Sequence, residues 1–210
     1  MKYLFVCCEG VTEESFVVNL LAPYFSEMNV YVTSSGMKGI SNSENVKKHI
    51  MGFCLSYPNA LVTTMIDYYG LYKIIPALIP TDGDIYERVN FVEKEIMNNF
   101  KSLNNLYFNI ILHEFEGLLF SDVNSFNDIA NKNQLQVLNN IRRRVATPEH
   151  INDQYETAPS RQIKNNIPVY SKIRNGIEIA RKIGIEKMTD ECVHFRQWIN
   201  KLTVWAKADA

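Results

Sequence analysis

Short apolar runs alternate with stretches in which apolar residues recur every three or four positions, and this alternation sets the reading of the chain. Residues 2–8 form a nearly continuous apolar run, as expected of a strand buried on both faces. Gly10 breaks it. Thr12 then stands where a helix cap is expected, and Phe16, Val17, Leu20, Leu21 and Tyr24 follow at helical spacing, with Pro23 bending or ending the helix. Residues 29–33 read as a second strand and the Ser- and Gly-rich stretch 34–43 as a loop. Val46, Ile50, Phe53, Cys54 and Tyr57 form the buried stripe of a second helix, which Pro58 stops. Residues 60–66 are a third strand. The segment 68–85, with Pro76, Pro80 and the turn Thr81-Asp82-Gly83-Asp84, reads as irregular and of a length that often marks function. Val89, Val92, Ile96 and Phe100 give a third amphipathic helix, and 107–112 a fourth strand.

The order β-α-β-α-β-α-β predicts an α/β fold with a mainly parallel sheet flanked by helices and right-handed crossovers. Past Leu118 the pattern becomes helical around a polar stretch at 147–166, with late stripes Ile173, Ile177, Ala180 and Val193, Trp198, Ile199, Leu202, Trp205. The expected division is an α/β core at 1–120 and a mostly helical C-terminal extension at 121–210 packed on it. With 46% apolar residues, 7 Pro and 9 Gly, the chain is globular rather than disordered. Its 22 basic and 23 acidic residues leave no global electrostatic footprint for nucleic acid, so such binding requires local patches or a partner. The four cysteines lack the spacing of a zinc site or a disulfide framework and read as reduced, buried thiols. No signal-peptide pattern and no apolar stretch of membrane-spanning length is seen, which points to the cytoplasm and away from a membrane.

Three acidic groups follow strand-length runs: Glu9 with Glu13 and Glu14, then Asp67, then Glu114 with Glu116. The carboxyl ends of strands in an open α/β sheet face one crevice, so these acids are expected to converge. Like charges repel, and hard oxygen donors of this kind suit Mg²⁺ or Mn²⁺. Glu9, outside the helix and beside Gly10, reads as a metal ligand or general base. Glu13 and Glu14 serve equally well as partners of the helix dipole, worth about 0.3–1 kcal/mol each. Asp67 reads as a ligand, with an Asx turn into Tyr68-Tyr69-Gly70 as the alternative. Glu114 and Glu116 share one face if the segment is extended and separate if it is helical. His113 is a weaker candidate. Arg142, Arg143 and Arg144 read as a solvated helix face, and Ser160, Arg161, Lys164 and Lys172 as possible phosphate contacts.

Glu9-Gly10-Val11-Thr12-Glu13-Glu14 resembles the opening motif of Toprim domains, particularly those of overcoming-lysogenization-defect nucleases, whose Glu binds the catalytic metal. The blocks from Val62 through Asp67 to Leu71, His113-Glu114-Phe115-Glu116-Gly117-Leu118-Leu119-Phe120, Thr157-Ala158-Pro159-Ser160 and Cys192-Val193-His194-Phe195 with Trp198 resemble a Toprim-like family known as domain of unknown function 4276. The resemblance covers nearly the whole chain. It implies a Toprim-like fold, Mg²⁺-dependent chemistry at phosphodiesters, Glu9 and Asp67 as metal ligands, and Glu114 and Glu116 as further ligands or a base. One departure stands out: Toprim domains carry Asp-x-Asp at the third strand, and Tyr69 replaces the second acid here. By analogy, such chains are nuclease or effector subunits paired with an ATPase in bacterial defence against phage. The readings are then a Mg²⁺-dependent nuclease acting on DNA or RNA, a non-catalytic subunit docking on an ATPase, or a small-molecule phosphohydrolase. Assembly of the chain with itself is left open.

Overall fold

A computed structural model describes residues 1–37, 42–152 and 157–208. The expected loop at 34–43 and polar stretch at 147–166 therefore lie partly outside the described residues. By its contacts the chain divides into two compact units, Met1–Ile111 with Thr203–Ala210, and Leu112–Leu202. The boundary lies after Ile111, nine residues earlier than the division the sequence suggests, and the last residues return to the first unit.

The first unit is built on a parallel sheet. Strand β1 (Lys2–Cys8) has the expected bounds, and Leu4, Val6, Cys7 and Cys8 are fully buried along it. After Gly10 the chain coils through α1 (Val11–Phe16), a π-helical turn at Val17–Leu21 and α2 (Ala22–Ser26). Pro23 does not end the helix: it falls at the start of α2, directly after the π-helical turn. The cap falls on Gly10 rather than Thr12, and the Glu13 carboxylate closes it. Strand β2 (Val30–Gly36) runs three residues further than the expected 29–33. Ser34, Ser35 and Gly36 pair with Val6, Cys7 and Cys8, so a ladder against a buried strand overrides local turn chemistry.

Helix α3 (Ser43–Ser56) is capped by the Asn42 side chain, which accepts from Asn45 N at 2.8 Å. Strand β3 (Leu61–Asp67) follows. The segment expected to be irregular holds α4 (Tyr68–Ile74) and a short 3₁₀ turn at Pro76–Leu78. Tyr68 and Leu71 are each 1% exposed, and their burial stabilises a helix too short to persist alone. The turn around Gly83 (φ 93°) delivers Asp84 as the cap of α5 (Ile85–Asn98), in a capping box with Glu87.

The single fourth strand expected at 107–112 is two short pieces, β4 (Leu106–Tyr107) and β5 (Ile110–Ile111), both parallel to β3. Thr63 Oγ1 donates to Tyr107 O at 2.7 Å. Thr64 Oγ1 donates to Asn109 O at 2.7 Å and accepts from Asn109 N at 2.8 Å. These hydroxyls carry the ladder across the break, which explains two fully buried threonines in the central strand. The strand order is β2-β1-β3-β4, with β5 also on β3, and all pairings are parallel.

The second unit is helical: α6 (Glu116–Leu119), α7 (Lys132–Arg142), α8 (Pro159–Asn166), α9 (Ile177–Glu191) and α10 (Val193–Lys207), whose last residues belong to the first unit. Phe115, Phe120, Phe126, Phe195 and Trp198 fill its core. Buried Glu149 accepts from His194 N and Phe195 N at 3.0 and 2.9 Å, satisfying donors at the start of α10. In the first unit, Lys2 Nζ donates to the Trp205 and Ala208 carbonyls at the other end of that helix. The four cysteines are free and buried. Burial, with a smaller contribution from Cys54, pushes the Cys7 thiol up to about 12, as suits a packing group rather than a nucleophile. Among the described residues, no helix is long and apolar enough to cross a membrane.

Candidate functional site

Parallel pairing brings the ends of β1 and β3 side by side. Cys8 pairs with Met65, and Glu9 N extends the ladder by donating to Met65 O at 3.0 Å. The Glu9 side chain then turns toward the end of β3, where its Oε2 accepts from Asp67 N at 3.1 Å. Asp67 is 8% exposed and is the residue from which α4 starts, yet its side chain makes no capping bond to that helix. The Asx turn considered as its alternative role is thus not what orients it. The Glu9 carboxylate thus reaches the backbone of a residue 58 positions away, at the carboxyl ends of two adjacent strands.

Glu13 and Glu14 have other employment. Glu13 Oε2 accepts from Gly10 N at 2.9 Å, and Glu14 Oε1 accepts from Gly36 N at 2.9 Å. A Cβ at position 36 would lie 2.7 Å from the Glu14 carboxyl carbon, so the absence of a side chain there admits the Glu14 carboxylate. Carboxylate oxygens are hard donors, and Mg²⁺ commonly takes one or two of them while keeping several waters. Glu9 with Asp67 fits that donor set. Among the described residues, no three His, Cys, Asp or Glu side chains are gathered as a metal site.

Glu114 and Glu116 belong to the second unit. They are not at a strand end: β5 stops at Ile111, His113 takes a left-handed φ of 60°, and Glu116 opens α6. Half-buried Glu114 accepts from Ser160 N at 3.1 Å in the first turn of α8, an acceptor for an otherwise unpaired helix donor. Glu116 is fully buried. Tyr170 donates its hydroxyl to Glu116 Oε1 at 3.4 Å, and Lys172 Nζ stands 3.2 Å from Oε2. Burial raises the Glu116 pKa, Lys172 pulls it down, and Glu114 pushes it up. Burial, with the two nearby carboxylates, also raises the Tyr170 pKa and keeps that phenol protonated. Gly176 makes room for this arrangement, since a Cβ there would meet the Tyr170 oxygen at 2.9 Å and Phe115 at 3.3 Å.

Of the candidate phosphate contacts, Lys172 thus meets an acid through its side chain and Ser160 through its backbone N–H. Arg161 is half-buried on α8 and Lys164 is exposed. Arg142 is structural, bonding Glu191 at 2.8 Å and the Val145 carbonyl at 3.0 Å, while Arg143 and Arg144 are exposed. Sequence reasoning missed Tyr170 and Glu149. An isolated Tyr after Pro168-Val169 and an isolated Glu in a polar stretch carry no periodic signal, and only burial distinguishes them.

Strand order, parallel pairing and carboxylates at adjacent strand ends define a parallel α/β protein with a helical second unit. The model of the family described as Domain of unknown function (DUF4276) matches residues 8–203, and the chain belongs to that family. Among solved structures, the chain is similar to the C-terminal region of the Burkholderia pseudomallei OLD protein, with 12% identity, 97% of this chain and 98% of that one covered, and a TM-score of 0.48. The C-terminal region of the Xanthomonas campestris pv. campestris OLD protein matches at 13% identity over 95% and 97% of the two chains, with a TM-score of 0.36. No curated protein matches the chain.

Proposed function

We propose that this chain is a Mg²⁺-dependent nuclease of the Toprim type, working as an effector subunit with an ATPase partner in defence against phage. The observation that carries the reading is the Glu9 carboxylate reaching Asp67 N at the ends of adjacent parallel strands. The Glu-Gly-x-Thr-Glu motif and the block ending in Asp67 support it through their likeness to Toprim domains. Glu9 and Asp67 would hold the ion, which when bound supplies a Lewis acid that activates water and stabilises the leaving oxygen of a phosphodiester. The bond from Asp67 N fixes the Glu9 carboxylate before any ligand arrives, so its orientation costs little on binding. In the second unit, Glu116 pairs with the Lys172 ammonium.

The test is incubation of the purified chain, alone and with a candidate ATPase, with DNA and RNA in Mg²⁺ or Mn²⁺. Cleavage by the native protein, absent from Glu9→Ala and Asp67→Ala, is the expected result. Intact substrates under every condition, together with a stable complex with the ATPase, would replace this reading by a non-catalytic docking subunit. Tyr69 in place of a second strand-end acid is the observation that favours that rival.

A further inference from the structure

Helices α3, α4 and α5 do not close completely on one another. Between them lies a cavity of about 230 Å³, all of it within the first unit. Val46 of α3, Leu71 and Ile74 of α4, Leu78 of the following turn, and Phe100 and Phe108 form its apolar walls. Packed interiors hold few voids larger than a water molecule, and an apolar cavity of about 150 Å³ is enough to take up benzene. The exposed part of the lining, which forms the mouth, is polar: Ser43, Glu44 and Asn99, joined by half-buried Lys47. The charges there are not equivalent. Glu44 pairs with Lys48 at 3.9 Å, one turn along α3, whereas Lys47 has no hydrogen-bond or ion-pair partner among the described residues. A lysine half-buried beside apolar surface keeps its ammonium at the water boundary, where it can meet an anion.

We propose that this cavity is a binding site for a small amphipathic carboxylate of the medium-chain fatty acid class, its tail between α3, α4 and α5 and its carboxylate on Lys47. Apolar walls behind a cationic mouth select a ligand that has both parts. A tail alone leaves Lys47 without a counter-ion, and a small anion alone leaves the walls unburied. Helix α4 is too short to persist by itself and forms one wall, so a bound tail adds burial to it and stabilises the fold. Occupancy of the cavity does not depend on nuclease activity.

Isothermal titration calorimetry and thermal melting of the purified chain with octanoate, 1-octanol and acetate test the site. Octanoate is expected to bind and to raise the Tm, 1-octanol to bind about fivefold more weakly, and acetate not to bind at the same concentrations. Lys47→Met is expected to weaken octanoate about fivefold and to leave 1-octanol unchanged, because only the charged head reads the lysine. Ile74→Trp and Leu78→Trp each add bulk to one wall and are expected to abolish binding of both ligands. Circular dichroism melting verifies that each variant is folded, and Lys47→Met, which alters only the mouth, keeps the test valid should a Trp disturb α4. A native chain indifferent to octanoate overturns the site, as does 1-octanol binding as tightly as octanoate. Octanoate binding that survives Lys47→Met undiminished, or survives both Trp variants, places the ligand elsewhere and overturns the site as well.

Discussion

Glu116 shows how a single carboxyl can make the fold depend on pH. Its raised pKa, caused first by burial and opposed by Lys172, means that the folded chain holds this proton more tightly than the unfolded chain, where the value is 4.5. The associated stability is fully present below that value and is lost as pH rises through the shifted native one. Urea midpoints measured against pH are therefore expected to fall for the native protein relative to Glu116→Gln from about pH 4.5 upward, and parallel curves would contradict the assignment. Removing the cation acts in the opposite sense on the same pair. Lys172→Met leaves a buried carboxylate beside Tyr170 alone and is expected to cost about 2 kcal/mol. That is below the loss for a fully buried pair because Lys172 is 36% exposed. The double variant Glu116→Gln with Lys172→Met should recover most of the loss, which a double-mutant cycle measures directly.

At the level of elements, the hydroxyls of β3 do work normally left to backbone amides. Thr64 bonds both the N–H and the carbonyl of Asn109, so Thr64→Val, which keeps the shape, strands two buried groups and is expected to destabilise by about 1–3 kcal/mol in urea melts. A near-neutral result would mean that the β4–β5 break closes on itself. The break also marks the limit of what apolar patterning reveals. Strand β1 was legible because its run is nearly all apolar, and the approach of Glu9 to the Asp67 backbone because parallel strands bring their carboxyl ends together. Helix α4 was hidden by Gly70, Pro76 and Pro80, which read as turn signals although Tyr68 and Leu71 are buried beneath it. The Glu116, Tyr170 and Lys172 cluster was hidden for a different reason. Glu116 is more than fifty positions from Tyr170 and Lys172, and all three lie in a helical unit, where no rule comparable to strand-end convergence brings distant residues together.

Over the whole molecule, 22 basic and 23 acidic residues nearly cancel, so the protein offers no long-range attraction for a polyanion and function must reside in local charge. The sharpest local feature is negative: Glu9 and Asp67 at one sheet edge, the latter nearly buried. Carboxylates gathered to hold a cation destabilise the metal-free fold, whereas a structural acid stabilises it. Asp67→Asn is therefore expected to raise the Tm of the protein in EDTA while abolishing its response to Mg²⁺. For the native chain, Mg²⁺ at ten times its Kd should add about 1.4 kcal/mol, about 3–5 °C in a calorimetric scan. A lowered Tm for Asp67→Asn in EDTA, with the Mg²⁺ response intact, would assign Asp67 to the architecture of the sheet edge and remove the basis for placing a metal there. The comparison needs neither a substrate nor an ATPase, so it reads the carboxylate pair itself rather than any activity the assembled system supports.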